Sequence, residues 1–233
     1  MIPNDPEPNT LRKTVVMPKV AYHPDGTRIR FFKEPHVYEL NNGRRPINAT
    51  AYIKQFFPKF ASHASTPFSQ YKSGSASLGA DIHDYAEAAL NGATRPVFAG
   101  KQHQAYCRMV DRCIDDLSQS LEFIEAEKIV FSHQDMLAGT IDLLMRDPAE
   151  GTVIIFDWKT SRKLSTHNPR HRALPPYDTT LTDCNFHHYQ CQLNLYRRLL
   201  DTQGYFPGMT FKMKLIHLMP SEYRIHEMDR IEI

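Results

Sequence analysis

Apolar and polar positions repeat with two different periods along this chain, and each change of period marks an element. Arg28-Ile29-Arg30-Phe31-Phe32 and Val37-Tyr38-Glu39-Leu40 carry the short apolar runs of strands around Lys33-Glu34-Pro35, with Asn41-Asn42-Gly43 as a turn signal. Asn48-Ala49-Thr50 reads as the cap of a helix through Tyr52, Ile53, Phe56 and Phe57 that ends before Pro58. A polar, Ser-rich stretch runs from Ala61 to Ser77. Helices are expected from Leu78 to Leu90, stopped by Asn91-Gly92, and from Lys101 to Ser120. In the second, Tyr106, Met109, Val110, Ile114 and Leu117 share one stripe.

The middle of the chain is β-rich. Strands are expected at Glu127 to Phe131, Gly139 to Met145 and Thr152 to Asp157, with Asp147-Pro148-Ala149-Glu150-Gly151 turning between the last two. The segment from Arg162 to Asn185 has no clear period and holds Pro169, Pro175 and Pro176; loops of that length are usually functional or mobile. A helix from His187 to Asp201 follows, and Phe211 to Met219 with Tyr223 to Ile231 reads as a closing hairpin. The order is helices, three strands, a long loop, a helix and further strands. It predicts an α/β domain with a central mixed sheet flanked by helices. Residues 1–20 are expected to be a flexible arm, and residues 21–233 a single domain.

Composition narrows the class. A chain of 233 residues with 41% hydrophobic and 23% charged positions is that of an ordinary globular protein. A formal net charge of +2 neither demands nor excludes nucleic acid, because a local basic groove survives in a near-neutral total. No apolar run approaches the ~20 residues of a membrane-spanning helix. The start, Met1-Ile2-Pro3-Asn4-Asp5-Pro6, lacks the charged head and apolar core of a signal peptide. The expectation is an intracellular protein, cytoplasmic if it comes from a prokaryote or phage, with no membrane partner. Cys107, Cys113, Cys184 and Cys191 have no C-x2-C spacing and read as reduced, buried thiols.

Chemistry concentrates in four places. Asp157 and Lys159 are two apart on a strand and so share a face, and a hairpin could bring Asp142 beside them. Two carboxylates suit a hard divalent cation, and a neighbouring ammonium suits a phosphate or an attacking water. With no other partner in view, the two acids should repel, so neutralising one is expected to raise metal-free stability. His83 and Glu87 are four apart on a helix, as are Gln192 and Tyr196. Glu127 starts the strand before Asp142. Taken singly, each has a plainer reading: a surface histidine, solvated helix acids, a packed Gln–Tyr pair, an edge-strand ion pair.

Together these residues resemble the RecB-like branch of the PD-(D/E)xK nuclease superfamily. Its motifs are a helical G-x3-H-x3-E, a G-x-x-D strand, a D-x-K strand and a later helical Q-x3-Y. Gly79/His83/Glu87, Gly139/Asp142, Asp157/Lys159 and Gln192/Tyr196 match them in that order over about residues 75–200, and Lys159-Thr160-Ser161 extends the third. Pro35-His36-Val37-Tyr38-Glu39-Leu40 is similar to the lead-in of phage-type and mitochondrial-genome-maintenance-type exonucleases. The resemblance implies a restriction-endonuclease-like core. It also implies Mg²⁺ or Mn²⁺ held by Asp142, Asp157, His83 and the Trp158 carbonyl, with the Trp158 side chain turned into the core. Lys159 would act on water or phosphate, positioned by Gln192 and Tyr196, with Glu127 nearby. The iron–sulfur cluster of Cas4-like members is not expected, because the four cysteines fall as two before and two after the motifs.

The implied activity is a metal-dependent deoxyribonuclease, most simply an exonuclease on single-stranded or frayed DNA ends. A structure-specific endonuclease and a catalytically silent nucleic-acid-binding or assembly protein stay open. Arg162, Lys163, Arg170 and Arg172 are the candidate phosphate-gripping residues, on a loop expected to order only when DNA is present.

Overall fold

The run Val153-Ile154-Ile155-Phe156 is apolar on both sides of a strand, so it needs cover on both faces, and two helical layers supply it. The structure, a computed structural model, describes residues 17–57 and 74–231 apart from 176, 178 and 179. Three short strands come first: β1 (Lys19–Tyr22), β2 (Arg28–Phe32) and β3 (Val37–Leu40). Next come β4 (Ile47–Asn48), α1 (Ala49–Lys54), α2 (Gly74–Leu90) and α3 (Lys101–Ser118). Strands β5 (Glu122–Ser132), β6 (Leu137–Asp147) and β7 (Thr152–Lys159) are consecutive. Helix α4 (Asn185–Thr202), β8 (Thr210–Leu218) and β9 (Tyr223–Glu227) complete the order.

Six strands form one mixed sheet in the order β4-β6-β7-β8-β9, with β5 also on β6. Strands β1, β2 and β3 make a separate antiparallel sheet. Alternation along β7 divides its side chains between two cores. Val153 and Ile155 pack with Ile53 of α1 and with Leu195 and Leu199 of α4. Ile154, Phe156 and Trp158 pack with Ile82 of α2 and Val110 of α3. Each fully buried side chain of this size contributes about 1.5–3 kcal/mol, so both helical layers are firmly attached.

The register of β6 leaves a gap. β5 pairs with one edge of β6, from Leu137 to Arg146. The other edge is shared: β4 takes Leu137 and Ala138 in parallel, and β7 takes Leu143 to Asp147 antiparallel. Residues 139–142 thus lie where two neighbouring strands part. The Asn48 side chain accepts a hydrogen bond from Ala51 N–H at 2.8 Å, capping α1 beside this gap.

Most expected elements are present; the first helix ends at Lys54 rather than Phe57, the helix from Lys101 at Ser118 and the last strand at Glu227. The middle strands extend past the expected bounds because pairing continues beyond their apolar runs. Two expectations differ. Of the arm expected over residues 1–20, residues 1–16 lie outside the described residues. Lys19 and Val20 are strand, paired with Phe31 and Arg30. The expected loop from Arg162 to Asn185 carries hydrogen bonds of its own among the described residues. Ala173 N–H donates to the Leu181 carbonyl at 2.9 Å, Asn185 Nδ2 donates to the Lys163 carbonyl at 2.8 Å, and Tyr177 enters the core. Side-chain amides and a buried tyrosine fix this segment, and these have no periodic signature. The polar stretch from Ala61 lies outside the described residues up to 73.

Candidate active site

The β6–β7 ladder ends at Leu143 opposite Phe156. The next residue on each strand is an acid, Asp142 and Asp157. Where the ladder stops, its unused donor is recruited: Trp158 N–H donates to Asp142 Oδ2 at 2.8 Å. Both acids are buried, Asp157 to 1% exposure. Apart from an ion pair with Lys159, neither carboxylate oxygen of Asp157 has a hydrogen-bond partner among the described residues. An acid so placed holds its proton more tightly; burial pushes Asp157 up to about 6 even with Lys159 beside it.

Helix α2 delivers His83 from the other side. Its Nε2 lies 3.0 Å from the Trp158 carbonyl oxygen, and its Nδ1 lies 3.5 Å from Asp142 Oδ2. Burial alone would lower the imidazole pKa, but the Asp142 charge outweighs it and holds the ring up to about 9. His83 therefore donates to the Trp158 carbonyl and faces Asp142 as a cation. Asp142 is correspondingly lowered, with burial opposed by His83 and Lys159.

Glu127 completes the cluster through an unusual backbone. It lies between Ala126 and Lys128, whose β6 partners Leu143 and Ile141 flank Asp142. Its φ of +52° is left-handed, a strained setting for a residue with a side chain. Burial first, then Asp142, pushes its carboxyl up to about 8. His83, Glu127 and Asp142 each offer a donor atom within 4.8 Å of the others.

Lys159 is half-buried, and the Asp157 and Asp142 charges overcome the loss of solvation to raise its pKa. Its Nζ lies 4.9 Å from the centre of the Tyr189 ring on α4. One turn on, Gln192 Nε2 donates to Tyr196 Oη at 2.8 Å. Two glycines of the motifs are explained by close approach. A Cβ at residue 139 would lie 2.5 Å from Tyr196 Cε1, and one at residue 79 would lie 3.3 Å from Thr160 Oγ1. The Trp158 side chain is in the core, as expected, with 1% exposure.

His83, Glu127, Asp142, Asp157, Lys159, Gln192 and Tyr196 line one cleft of about 460 Å³. A model of the PD-(D/E)XK nuclease superfamily matches residues 61–228. The chain belongs to the PD-(D/E)XK nuclease superfamily. Its fold is the restriction-endonuclease-like α/β core, with a mixed six-stranded sheet between helices. No curated protein matches this chain. Superfamily members are metal-dependent nucleases, and this PD-(D/E)XK nuclease has a donor set that fits a hard divalent cation. The Asp157 oxygens, paired only with Lys159, and the carboxyls of Asp157 and Glu127, each raised by burial and by Asp142, are groups that a nearby cation would satisfy. For the Trp158 carbonyl and His83 both to be ligands, the hydrogen bond between them has to open.

One wall of the nuclease cleft has almost no signature in the sequence. Lys19, Lys33 and Tyr38 come from the small sheet, outside the matched residues. Lys19 Nζ donates to the Glu127 carbonyl at 2.7 Å and pairs with Glu87 at 3.3 Å, while Tyr38 Oη lies 2.7 Å from Thr140 Oγ1. The only signal for this wall is the lead-in motif around Tyr38. Arg162, Lys163, Arg170 and Arg172 are exposed on the loop after β7, and none lines the cleft. The four cysteines are buried free thiols. Among the described residues, no helix is long and apolar enough to cross a membrane.

Proposed function

We propose that this nuclease is a RecB-like deoxyribonuclease that removes nucleotides from single-stranded or frayed DNA ends, with residues 21–233 as one catalytic domain. The observation that carries the reading is the confinement of the site. The cleft of about 460 Å³ has the scale of a small-ligand pocket, ~300–1,000 Å³. Lys19, Lys33 and Tyr38 of the small-sheet segment line the same cleft as the buried acids. A chain end of one or two nucleotides suits that space better than the face of a rigid duplex.

Asp142, Asp157, Glu127, His83 and the Trp158 carbonyl would hold Mg²⁺ or Mn²⁺, with the imidazole favouring Mn²⁺. Such an ion polarises the scissile phosphate and lowers the pKa of an attacking water. Lys159, kept charged by its two acids, orients that water or offsets charge gathering on the phosphate. Gln192 and Tyr196, bonded to one another, hold the lysine or a phosphate in position. Arg162, Lys163, Arg170 and Arg172 take backbone phosphates beyond the cleft.

The test is digestion of linear and circular single-stranded DNA in Mg²⁺ or Mn²⁺, beside Lys159→Ala. Linear DNA should be degraded and circles left intact. Lys159→Ala should lose roughly 100-fold or more in rate with little change in affinity. Cutting of circles makes the enzyme an endonuclease. Binding without cleavage in either metal leaves a silent module on the same fold.

A further inference from the structure

Away from the cleft, two turns bring three further donors together. His23 follows β1, Asp25 sits in the β1–β2 turn, and His133 opens the turn after β5. His23 Nδ1 lies 2.9 Å from Asp25 Oδ1, and His133 Nε2 lies 3.7 Å from Asp25 Oδ2. One donor atom from each residue falls within 4.8 Å of the others. Bonds of about 2.0–2.2 Å give a tetrahedral zinc site donor-to-donor edges of roughly 3.4 Å. The two His–Asp separations bracket that edge.

The arrangement calls for a cation. The Asp25 N–H lies 3.2 Å from His23 Nδ1 as a donor, which directs a ring lone pair at the turn. Yet a carboxylate oxygen is 2.9 Å from the same nitrogen. The carboxylate is anionic: the Thr27 backbone N–H, donating at 2.8 Å, lowers Asp25 to about 2. Two lone-pair donors this close need a proton or a metal between them. A proton there leaves His133 unused, and His23 Nε2 and His133 Nδ1 are both buried with no hydrogen-bond partner among the described residues.

The site is built to hold its geometry. The His23 ring is 8% exposed and packs against Phe131, His133 and Tyr205, with centroids 5.2–5.5 Å apart. Asp25 and His133 keep side-chain exposures of 45% and 31%, so water can complete the coordination. Two imidazoles and one carboxylate are softer than the acid-rich catalytic set and select Zn²⁺ and its neighbours over Mg²⁺.

We propose that His23, Asp25 and His133 form a second, structural site for a divalent ion of the zinc class, which clamps the small N-terminal sheet to the central sheet. That sheet carries Lys19 and Tyr38 into the cleft wall, so the clamp fixes the wall without touching the reacting atoms. The proposal stands apart from the exonuclease reading.

The experiment titrates the full chain carrying Asp142→Asn, which weakens the catalytic donor set, with Co²⁺ and then Zn²⁺. One equivalent of Co²⁺ should give visible ligand-field absorption that Zn²⁺ abolishes and excess Mg²⁺ does not. Zn²⁺ should also raise the melting midpoint. Adding His133→Ala should weaken Zn²⁺ by more than the ~10–100-fold expected for a mere supporting residue. Its metal-free melt, followed by circular dichroism, verifies that it folds, and Asp25→Asn serves as a second variant. Absence of the band, or an equal band and midpoint shift in both variants, overturns the site and leaves a protonated His–Asp contact.

Discussion

Gly139 on β6 lies directly under the ring of Tyr196 on α4, so close that a Cβ on residue 139 would meet Tyr196 Cε1 at 2.5 Å. Tyr196 in turn accepts from Gln192 at the cleft. Two motifs separated by a long loop are therefore one packing unit.

Gly139→Ala should push the ring away, costing about 1–3 kcal/mol by overpacking and lowering the cleavage rate. In a double-mutant cycle with Tyr196→Ala, measured by urea unfolding, the two losses should be clearly less than additive. Simple additivity would mean that the contact is not why residue 139 is glycine.

Asp142→Asn and Asp157→Asn should each abolish cleavage in Mg²⁺ and Mn²⁺. The sequence alone suggests that neutralising either acid relieves repulsion. The partners reverse that expectation for Asp142, which faces His83 and accepts from Trp158 N–H, and whose pKa is lowered. Asp157, raised to about 6 mainly by burial, keeps it. Asp142→Asn leaves His83 short of its counter-charge, so metal-free stability should fall. Urea titration in a chelator checks this; a more stable Asp142→Asn would show that repulsion dominates.

Metal-free stability should fall as pH rises. Asp157 at about 6 and Glu127 at about 8 hold protons more tightly folded than unfolded, mainly because they are buried. His83, raised to about 9 by Asp142 against the opposing effect of burial, has the same sign. Stability from such groups is complete below their unfolded values and is lost as pH passes their folded ones. Asp142, lowered, acts in the opposite sense only in acid. The melting midpoint in EDTA should decline between pH 5 and 9, by roughly 2–4 °C per kcal/mol of stability removed. Saturating Mg²⁺ or Mn²⁺ should flatten the decline, because the ion replaces the protons. A midpoint that climbs over this range contradicts the assignment.

Replacing Arg162, Lys163, Arg170 and Arg172 together by alanine should weaken single-stranded DNA binding. The salt dependence should flatten by a slope of about 0.7 for each phosphate that is no longer neutralised, while the rate on saturating substrate holds. Because hydrogen bonds tie the described part of the loop to itself, that part should resist proteolysis in the free protein. An unchanged salt slope transfers the grip to Lys19 and Lys33 in the cleft wall.

The sequence by itself determined most of the elements and the chemistry, but not the strands at Lys19–Tyr22 and Ile47–Asn48. Period-two and helical spacing marked the strands and helices, the doubly apolar β7 demanded cover on both faces, and the order of the acid, lysine, histidine and Gln–Tyr motifs marked a nuclease. These signals are local, set by neighbours within a few residues. The tertiary structure alone decided what depends on register and contact. It parted β4 from β7 along β6, ended the ladder one residue before both acids, and gave each acid a different cation. It turned Glu127 into the site through a left-handed backbone, and it folded the small sheet into the cleft wall. It also set His23, Asp25 and His133 together across more than a hundred residues. Pairing at that separation has no sequence period, because it is fixed by where the strands stop rather than by what they contain.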